Sequence, residues 1–383
     1  MAVERFQINI PQVTLVDLNE RLARARWPDE IEGAGWDYGT NSAYLRELAH
    51  YWQHHYDWRK HEADLNAFNH FRAEIGGIGL HFIHEKGKGA KPLPLLLTHG
   101  WPDSFWRFSK LIPMLTDPES YGGRVEDAFD VVVPSIPGFG FSDKPTQRGM
   151  TNVKVAELFA TLMTELGYDR YAAHGGDWGR GITASLGATQ AARTVGLHLT
   201  DVPYRHLLTR PPEELSKAEQ AYLEAGQAWS RTEGAYAAIQ GTKPQTLAYG
   251  LTDSPIGLAS WLLEKFRSWS DCEGNVENSF SKDELLTNIT LYWVTETINS
   301  ANRLYYETQH MAQEAPQARV EVPTGFAIFP KDLVAAPREV AEHLYNVQRW
   351  TKMPRGGHFA AFEEPELLVN ELREFFRPLR LAD

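Results

Sequence analysis

The feature that most constrains the fold of this chain is the pentapeptide Gly175-Gly176-Asp177-Trp178-Gly179. In this pattern, a small residue lies two positions before and two positions after a nucleophile. It is typical of a tight turn from a strand into a helix, where larger side chains at these two positions would clash. The usual nucleophile is serine, but here it is Asp177. Because a carboxylate reacts best at saturated carbon and forms an alkyl ester there, we expect attack on epoxides or alkyl halides rather than cleavage of acyl esters.

Strand and helix patterns alternate around this turn. Short apolar runs predict buried strands, and apolar residues three or four apart predict helices. The strands are expected at 95–98, 129–134 and 171–174, and the helices at 105–115, 153–166 and 180–191. This alternation implies an α/β fold with a mainly parallel sheet covered on both faces, and with the nucleophile turn it indicates an α/β-hydrolase fold.

The chain is expected to divide into an N-terminal extension, a core in two parts and a helical cap inserted between those parts. A capping box at Thr14 predicts the start of the first helix and Pro28 its end. The four segments are 1–92 (extension), 93–206 (first part of the core), 207–318 (cap) and 319–383 (second part of the core). Further helices are expected at 42–54, 216–227, 255–266, 282–306 and 365–376, and strands at 68–74, 80–84 and 322–329.

The composition excludes several classes of partner. The net charge is −12 without a cluster of Lys or Arg, which argues against nucleic acid and anionic membranes. The chain has no run of about 18 apolar residues and no signal peptide, and Cys272 is its only cysteine, so we expect a soluble protein of the reducing cytoplasm. The 12 tryptophans favour a bulky or aryl substrate, and a homodimer is the commonest assembly of soluble proteins.

Two backbone amides are expected beside Asp177. His99-Gly100-Trp101-Pro102 follows the first core strand, where an α/β-hydrolase has one oxyanion-hole amide, here the N–H of Trp101. The second is the N–H of Trp178, the residue after the nucleophile. Donors at these positions stabilise the negative charge that develops when water attacks an ester on Asp177.

A base and its acid partner are expected near the end of the core. His358 follows two glycines in Arg355-Gly356-Gly357-His358-Phe359, and the order nucleophile, acid, histidine is the order of this fold. Asp332, just after the strand at 322–329, is the acid that would hold the imidazole tautomer. Glu363 and Glu364 are rivals, but they are better interpreted as carboxylates in the first turn of the last helix.

Opening an epoxide also requires an acid for the departing oxygen. A tyrosine is suitable because its phenol is protonated at neutral pH and can donate a hydrogen bond. Residue patterns alone do not choose among the candidates in the cap, which are Tyr222, Tyr236, Tyr249, Tyr292, Tyr305 and Tyr306.

These motifs together give the chain a resemblance to the microsomal-type epoxide hydrolases, including the juvenile hormone epoxide hydrolases, over nearly its whole length. The residues that carry the resemblance are Thr98-His99-Gly100-Trp101-Pro102, Gly175-Gly176-Asp177-Trp178-Gly179, Val322-Pro323-Thr324-Gly325-Phe326 and the stretch from Arg355 to Glu366. The resemblance implies that an epoxide is hydrolysed to a vicinal diol with no metal or organic cofactor.

The resemblance also assigns roles to single residues. It implies that Asp177 is the nucleophile, His358 the base that activates water, and Tyr236 and Tyr305 the ring-opening acids. Asp332 stands where the microsomal enzymes have glutamate, and the segment from it to His358 is one residue shorter. Those enzymes carry an N-terminal membrane anchor, and this chain starts after that point, so we expect a soluble bacterial-type member. Such members act in detoxification and in antibiotic pathways, including enediyne pathways.

Two other functions share some of these features. A haloalkane dehalogenase has the same fold, aspartate and histidine, but a departing halide needs no proton from a phenol, so paired cap tyrosines favour the epoxide. A non-catalytic binding protein of this fold typically lacks the nucleophile or the histidine, and this chain has both.

Overall fold

The computed structural model describes residues 2–311 and 319–381. Within these residues, nine strands form one sheet in the spatial order β1-β2-β3-β5-β4-β6-β7-β8-β9. The strands are β1 (Val3–Arg5), β2 (His70–Ile75), β3 (Ile78–Glu85), β4 (Leu93–Thr98), β5 (Phe129–Pro134), β6 (Tyr171–Gly175), β7 (Thr194–Leu199), β8 (Val320–Ile328) and β9 (Tyr345–Lys352).

Helices flank the sheet and fill the segment between β7 and β8. They are α1 (Gln12–Ala23), α2 (Ser42–His54), α3 (Trp58–Leu65), α4 (Leu111–Thr116), α5 (Asn152–Glu165), α6 (Trp178–Thr189), α7 (Lys217–Thr232), α8 (Ala235–Thr242), α9 (Pro244–Asp253), α10 (Pro255–Ser268), α11 (Lys282–Thr295), α12 (Ile298–His310), α13 (Arg338–Leu344), α14 (Ala360–Glu363) and α15 (Pro365–Phe376). None of the helices in the described residues is both long and apolar enough to cross a membrane.

The sheet is antiparallel at one edge and parallel over the rest. β1, β2, β3 and β5 pair antiparallel, whereas β5, β4, β6, β7, β8 and β9 pair parallel. Successive residues of β5 enter different core clusters, with Val132 in one and Val131 and Val133 in the other. Because alternate side chains of a strand point to opposite faces, both faces are buried, and the expected α/β-hydrolase fold is confirmed.

This topology brings the loops after the parallel strands to one edge of the sheet. Thr98, Gly175, Leu199, Ile328 and Lys352 end β4, β6, β7, β8 and β9. Parallel strands have their carboxyl ends at the same edge, where ligands usually bind in such sheets. The residues that follow these strands can therefore form one site.

Several predicted elements differ from the structure. The first helix begins at Gln12 after Pro11 and ends at Ala23, so the capping box at Thr14 was wrong; a proline fits a helix start without donating a hydrogen bond. The helix predicted at 282–306 is two helices, because Glu296 adopts a left-handed conformation with φ 52°. The helix predicted at 105–115 is a 3-10 turn, Phe105–Phe108, followed by α4.

Candidate active site

The turn that carries Asp177 is strained and crowded. Asp177 lies between β6 and α6 with φ 55° and ψ −127°, a conformation that residues with a side chain seldom adopt. A Cβ atom at Gly175 would collide with the carbonyl oxygen of Gly179, and one at Gly179 would collide with that of Thr98. The glycines therefore permit a turn that places the Asp177 carboxylate at the edge of the sheet.

The carboxylate of Asp177 is held in its ionised form. The N–H of Trp101 donates to its Oδ1 at 2.8 Å, and Nε2 of His358 lies 3.6 Å from its Oδ2. Burial by itself would raise the pKa of Asp177, but the interaction with His358 and the amides of Trp101 and Trp178 outweighs it and lowers the pKa. Of the two amides expected beside Asp177, that of Trp101 donates a hydrogen bond to the carboxylate, and that of Trp178 contributes to the lowered pKa.

The loop that carries Trp101 is fixed by a buried network. A Cβ atom at Gly100 would lie 2.5 Å from the Cβ of Asp177, so only glycine fits there. The N–H of Gly100 donates to Oδ1 of Asp103 at 2.9 Å, and Asp103 forms an ion pair with Arg107 at 2.5 Å. Arg107 in turn donates to the carbonyl oxygen of His358 at 3.1 Å. The loop that carries Trp101 and the loop that carries His358 are therefore both held by Arg107.

His358 and Asp332 form the pair expected from the sequence. Nδ1 of His358 lies 2.7 Å from Oδ1 of Asp332, and since an ionised carboxylate only accepts, Nδ1 carries the proton. Burial opposes the imidazolium, but the carboxylates of Asp332 and Asp177 outweigh it and raise the pKa of His358 to about 10. The resting site therefore holds an imidazolium between two carboxylates.

Of the six cap tyrosines, Tyr236 and Tyr305 contact the rings of Trp101 and Trp178, beside Asp177. Tyr236 stacks on Trp101 with ring centroids 5.0 Å apart and an interplanar angle of 7°. Tyr305 meets Trp178 edge-on at 4.6 Å and lies 5.9 Å from the ring of Tyr236. Burial raises the pKa of both phenols, and the charge of Asp177 raises them further, so both stay protonated.

The other four tyrosines have different surroundings. The hydroxyl of Tyr222 donates to the carbonyl oxygen of Val202 at 2.6 Å, and that of Tyr292 donates to the carbonyl oxygen of Asp103 at 2.8 Å. Tyr249 is 72% exposed, and Tyr306 stacks on the ring of His310. In the described part of the chain, none of these four tyrosines makes a ring contact with Trp101 or Trp178.

The structure adds Asp201, which sequence reasoning missed. Its Oδ2 accepts the backbone N–H of Asp177 at 2.9 Å, and its Oδ1 accepts from Nε of Arg180 at 2.9 Å. Asp201 follows β7, which was also missed, and a carboxylate directly after an apolar run is the signal that could have found both.

The interpretation of Glu363 and Glu364 as first-turn carboxylates was incomplete. Glu363 is the last residue of α14 rather than part of α15, and its side chain accepts backbone N–H groups, including that of Phe359 at 2.9 Å. Glu364 precedes α15 without capping it and pairs with Arg355 at 2.6 Å. Neither carboxylate takes the place of Asp332 beside His358.

The described part of the chain contains no group of three or more His, Cys, Asp or Glu side chains able to hold a metal ion. The side chains gathered at the edge of the sheet are instead an ionised carboxylate, an imidazole paired with a second carboxylate, and two phenols. Such a set can perform nucleophilic attack, general acid catalysis and activation of water.

Two known families match overlapping parts of the chain. The family described as "Epoxide hydrolase N terminus" matches residues 3–108, and the family described as "alpha/beta hydrolase fold" matches residues 94–232. The two matches together extend from β1 into the helices between β7 and β8.

Individual relatives match over nearly the whole chain. A protein of Stigmatella aurantiaca assigned as an epoxide hydrolase is 46% identical over 98% of this chain and 85% of its own length. Epoxide hydrolase 1 of Sus scrofa is 39% identical over 98% of this chain and 88% of its own length. The crystal structure of juvenile hormone epoxide hydrolase from Bombyx mori superposes with a TM-score of 0.90 at 30% identity and covers 100% of this chain and 95% of that chain.

Proposed function

This chain belongs to the microsomal-type epoxide hydrolase family and is an epoxide hydrolase, and we propose that it forms a vicinal diol in two steps through an ester on Asp177. The observation that carries the proposal is the position of two buried phenols, Tyr236 and Tyr305, against the tryptophan rings beside an ionised carboxylate.

In the first step, the carboxylate of Asp177 attacks a carbon of the epoxide. Oδ2 is the attacking atom, because Oδ1 is held by the amide of Trp101. A C–O bond forms, the ring C–O bond breaks, and its electron pair goes to the ring oxygen. Tyr236 and Tyr305 donate hydrogen bonds to that oxygen, and one of them gives it a proton. A phenol can do so because an alkoxide is the stronger base.

In the second step, His358 takes a proton from the water that attacks the ester carbonyl. The ester on Asp177 is neutral, so one of the two carboxylates that raise the pKa of His358 to about 10 has lost its charge. The pKa therefore falls, and His358 passes its proton to the tyrosinate that the first step leaves. The neutral imidazole then acts as the base toward water, with Asp332 stabilising the imidazolium that forms. The amides of Trp101 and Trp178 stabilise the oxyanion. When the oxyanion collapses, the ester C–O bond breaks and the departing diol oxygen takes the proton of the Asp177 carboxyl group, so that Asp177 is again a carboxylate and His358 an imidazolium.

The experiment that tests the proposal is diol formation from styrene oxide by wild type and by Asp177→Ala, with halide release from haloalkanes measured in the same preparations. Asp169→Ala is the matched control, because Asp169 is exposed. We expect diol from wild type and the control and none from Asp177→Ala. Diol from Asp177→Ala would refute the ester, and halide release without diol would identify a dehalogenase.

The substrate class is proposed from the lining of the site. Trp101, Trp178, Trp229 and Trp269 all contact Tyr236 or Tyr305 through their rings, which favours a bulky or aryl epoxide. The homodimer, the location in the cytoplasm, a role in detoxification or antibiotic biosynthesis, and the segment boundaries at 92, 206 and 318 stay predictions.

A further inference from the structure

The loop that carries His358 is held by an unusual set of acceptors. Four consecutive backbone N–H groups of this loop donate to groups outside β9 rather than to a neighbouring strand. The N–H of Gly356 donates to Oδ2 of Asp271 at 2.9 Å, that of Gly357 to Oε2 of Glu363 at 3.1 Å, that of His358 to the carbonyl oxygen of Trp269 at 2.8 Å, and that of Phe359 to Oε1 of Glu363 at 2.9 Å.

Glu363 is the centre of this set. Besides the amides of Gly357 and Phe359, which lie on either side of His358, its Oε2 accepts the N–H of Asp271 at 2.7 Å. One carboxylate therefore takes three backbone donors, two from the histidine loop and one from the segment after α10. Burial raises the pKa of Glu363 to about 7 against these hydrogen bonds, and each amide is best satisfied when the carboxylate is ionised.

The histidine loop lies directly on the segment that follows α10. A Cβ atom at Gly357 would lie 2.6 Å from the carbonyl oxygen of Trp269 and 2.9 Å from Cα of Ser270, so the two backbones are in contact. The ring of Trp269 also meets the imidazole of His358 edge-on, with centroids 5.2 Å apart. The position of the imidazole relative to Asp177 thus depends on the acceptors that hold its backbone.

The remaining anchors of His358 act on other atoms. Asp332 holds Nδ1 of the ring, and Arg107 holds the carbonyl oxygen. Neither contacts the amides of Gly357 and Phe359. If these two amides lose their acceptor, the backbone can shift by a few tenths of an ångström while the ring stays paired with Asp332, and Nε2 then moves relative to the ester carbon.

We propose that Glu363 is a positioning residue for the second half of the reaction, which aims Nε2 of His358 at the water that hydrolyses the Asp177 ester. The inference rests on the proposed two-step mechanism. The carboxylate of Glu363 is taken up by three backbone amides, and the first step of the proposed mechanism needs only Asp177 and the two phenols. A change at Glu363 should therefore slow hydrolysis of the ester and spare its formation.

The variant that tests the proposal is Glu363→Gln. Its amide group has one acceptor oxygen, and its NH2 group must face at least one of the three N–H donors, so the loop shifts although the side chain keeps its size. We expect ester hydrolysis to fall roughly tenfold to a hundredfold, since misplacement of a catalytic group by up to 1 Å has effects of this order. Alkylation of Asp177 should be unchanged, because no group that reacts in that step moves.

The readouts are steady-state kinetics with styrene oxide and the intact mass of the enzyme during turnover. When only hydrolysis slows, kcat and KM fall together, kcat/KM is unchanged, and enzyme bearing the mass of one substrate accumulates. Glu366→Gln is the matched control, because Glu366 is exposed in the first turn of α15, and it should behave as wild type. Asp271→Asn removes the charge on the acceptor of Gly356 and should change kinetics in the same direction, so it replaces Glu363→Gln if that variant does not fold.

Two results would overturn the inference. One is a folded Glu363→Gln enzyme in which kcat and kcat/KM fall equally and no ester accumulates, because this is the behaviour of a smaller active fraction. The other is unchanged hydrolysis. Failure of the mechanism itself looks different, because wild type and His358→Gln would then carry no substrate mass at all.

Discussion

Nε2 of His358 lies 3.6 Å from Oδ2 of Asp177, so the two side chains interact electrostatically at a distance longer than a hydrogen bond. Each residue shifts the pKa of the other: His358 lowers that of Asp177, and Asp332 together with Asp177 raises that of His358 to about 10 against the effect of burial. In the proposed mechanism, formation of an ester on Asp177 removes one of the two carboxylate charges that raise the pKa of His358. In that mechanism, the first chemical step therefore prepares His358 to act as the base in the second.

Replacement of His358 by glutamine should separate the two steps. His358→Gln keeps Asp177, the amides of Trp101 and Trp178, and both phenols, so one equivalent of epoxide should alkylate the enzyme. Release of diol should slow by about 10² to 10⁴, the usual contribution of a general base. Intact mass spectrometry and the amplitude of the initial burst measure the two steps, and normal turnover would show that His358 is not the base.

Removal of one phenolic hydroxyl should slow the first step. Tyr236→Phe and Tyr305→Phe should each lower kcat/KM by roughly tenfold to a hundredfold, less than a sole general acid would, because the other phenol remains. The double variant should lose more than either. Tyr306→Phe is the matched control, since Tyr306 stacks on His310, and its kcat/KM should match wild type. A loss in Tyr306→Phe equal to that in Tyr305→Phe would contradict the assignment.

Residues close in sequence to a motif could be predicted, and residues that reach the site from distant segments could not. The turn at Asp177, the loop at Trp101 and the glycines before His358 leave local patterns, and the structure brings these residues together. The choice of Tyr236 and Tyr305 needed the resemblance, because a helical cap pattern does not say which face meets the core. Arg107 contacts the carbonyl oxygen of His358 across 251 positions, and no local pattern records such a contact.

The fold shows the same limit. The buried strands β4, β5, β6 and β8 were predicted, whereas β7, which is also buried, and β9, at the edge of the sheet, were missed. The break at Glu296 was missed because no glycine or proline marks it. Tertiary packing decides such positions, since local propensity is a weak preference that the surroundings override.

The raised pKa of His358 predicts how stability depends on pH. The folded protein holds this proton more tightly than the unfolded chain does, with a pKa of about 10 against 6.5. The resulting stabilisation is fully present below pH 6.5 and is lost as the pH rises towards 10. The Tm of wild type minus that of His358→Gln should therefore decrease between pH 6.5 and 10. Groups that titrate in both proteins cancel in this difference, and a difference that grows with pH would contradict the shift.

Asp201 should affect formation of the ester on Asp177, whereas Glu363 should affect its hydrolysis. It holds the N–H of Asp177 at 2.9 Å in a turn with φ 55°, and its other oxygen pairs with Arg180. In Asp201→Asn, the amide can serve only one of these donors, so the turn relaxes and the carboxylate of Asp177 is aimed less well.

The Asp201→Asn variant should therefore alkylate slowly. We expect the free energy of unfolding to fall by about 1–3 kcal/mol, the cost of leaving a partly buried donor unsatisfied, and kcat/KM to fall about tenfold. No ester should accumulate, because His358 and its loop are unchanged and hydrolyse the ester as fast as it forms. Single-turnover alkylation and intact mass, measured beside Glu363→Gln, distinguish the two anchors. Ester accumulation in Asp201→Asn would show that Asp201 acts on the base rather than on the nucleophile.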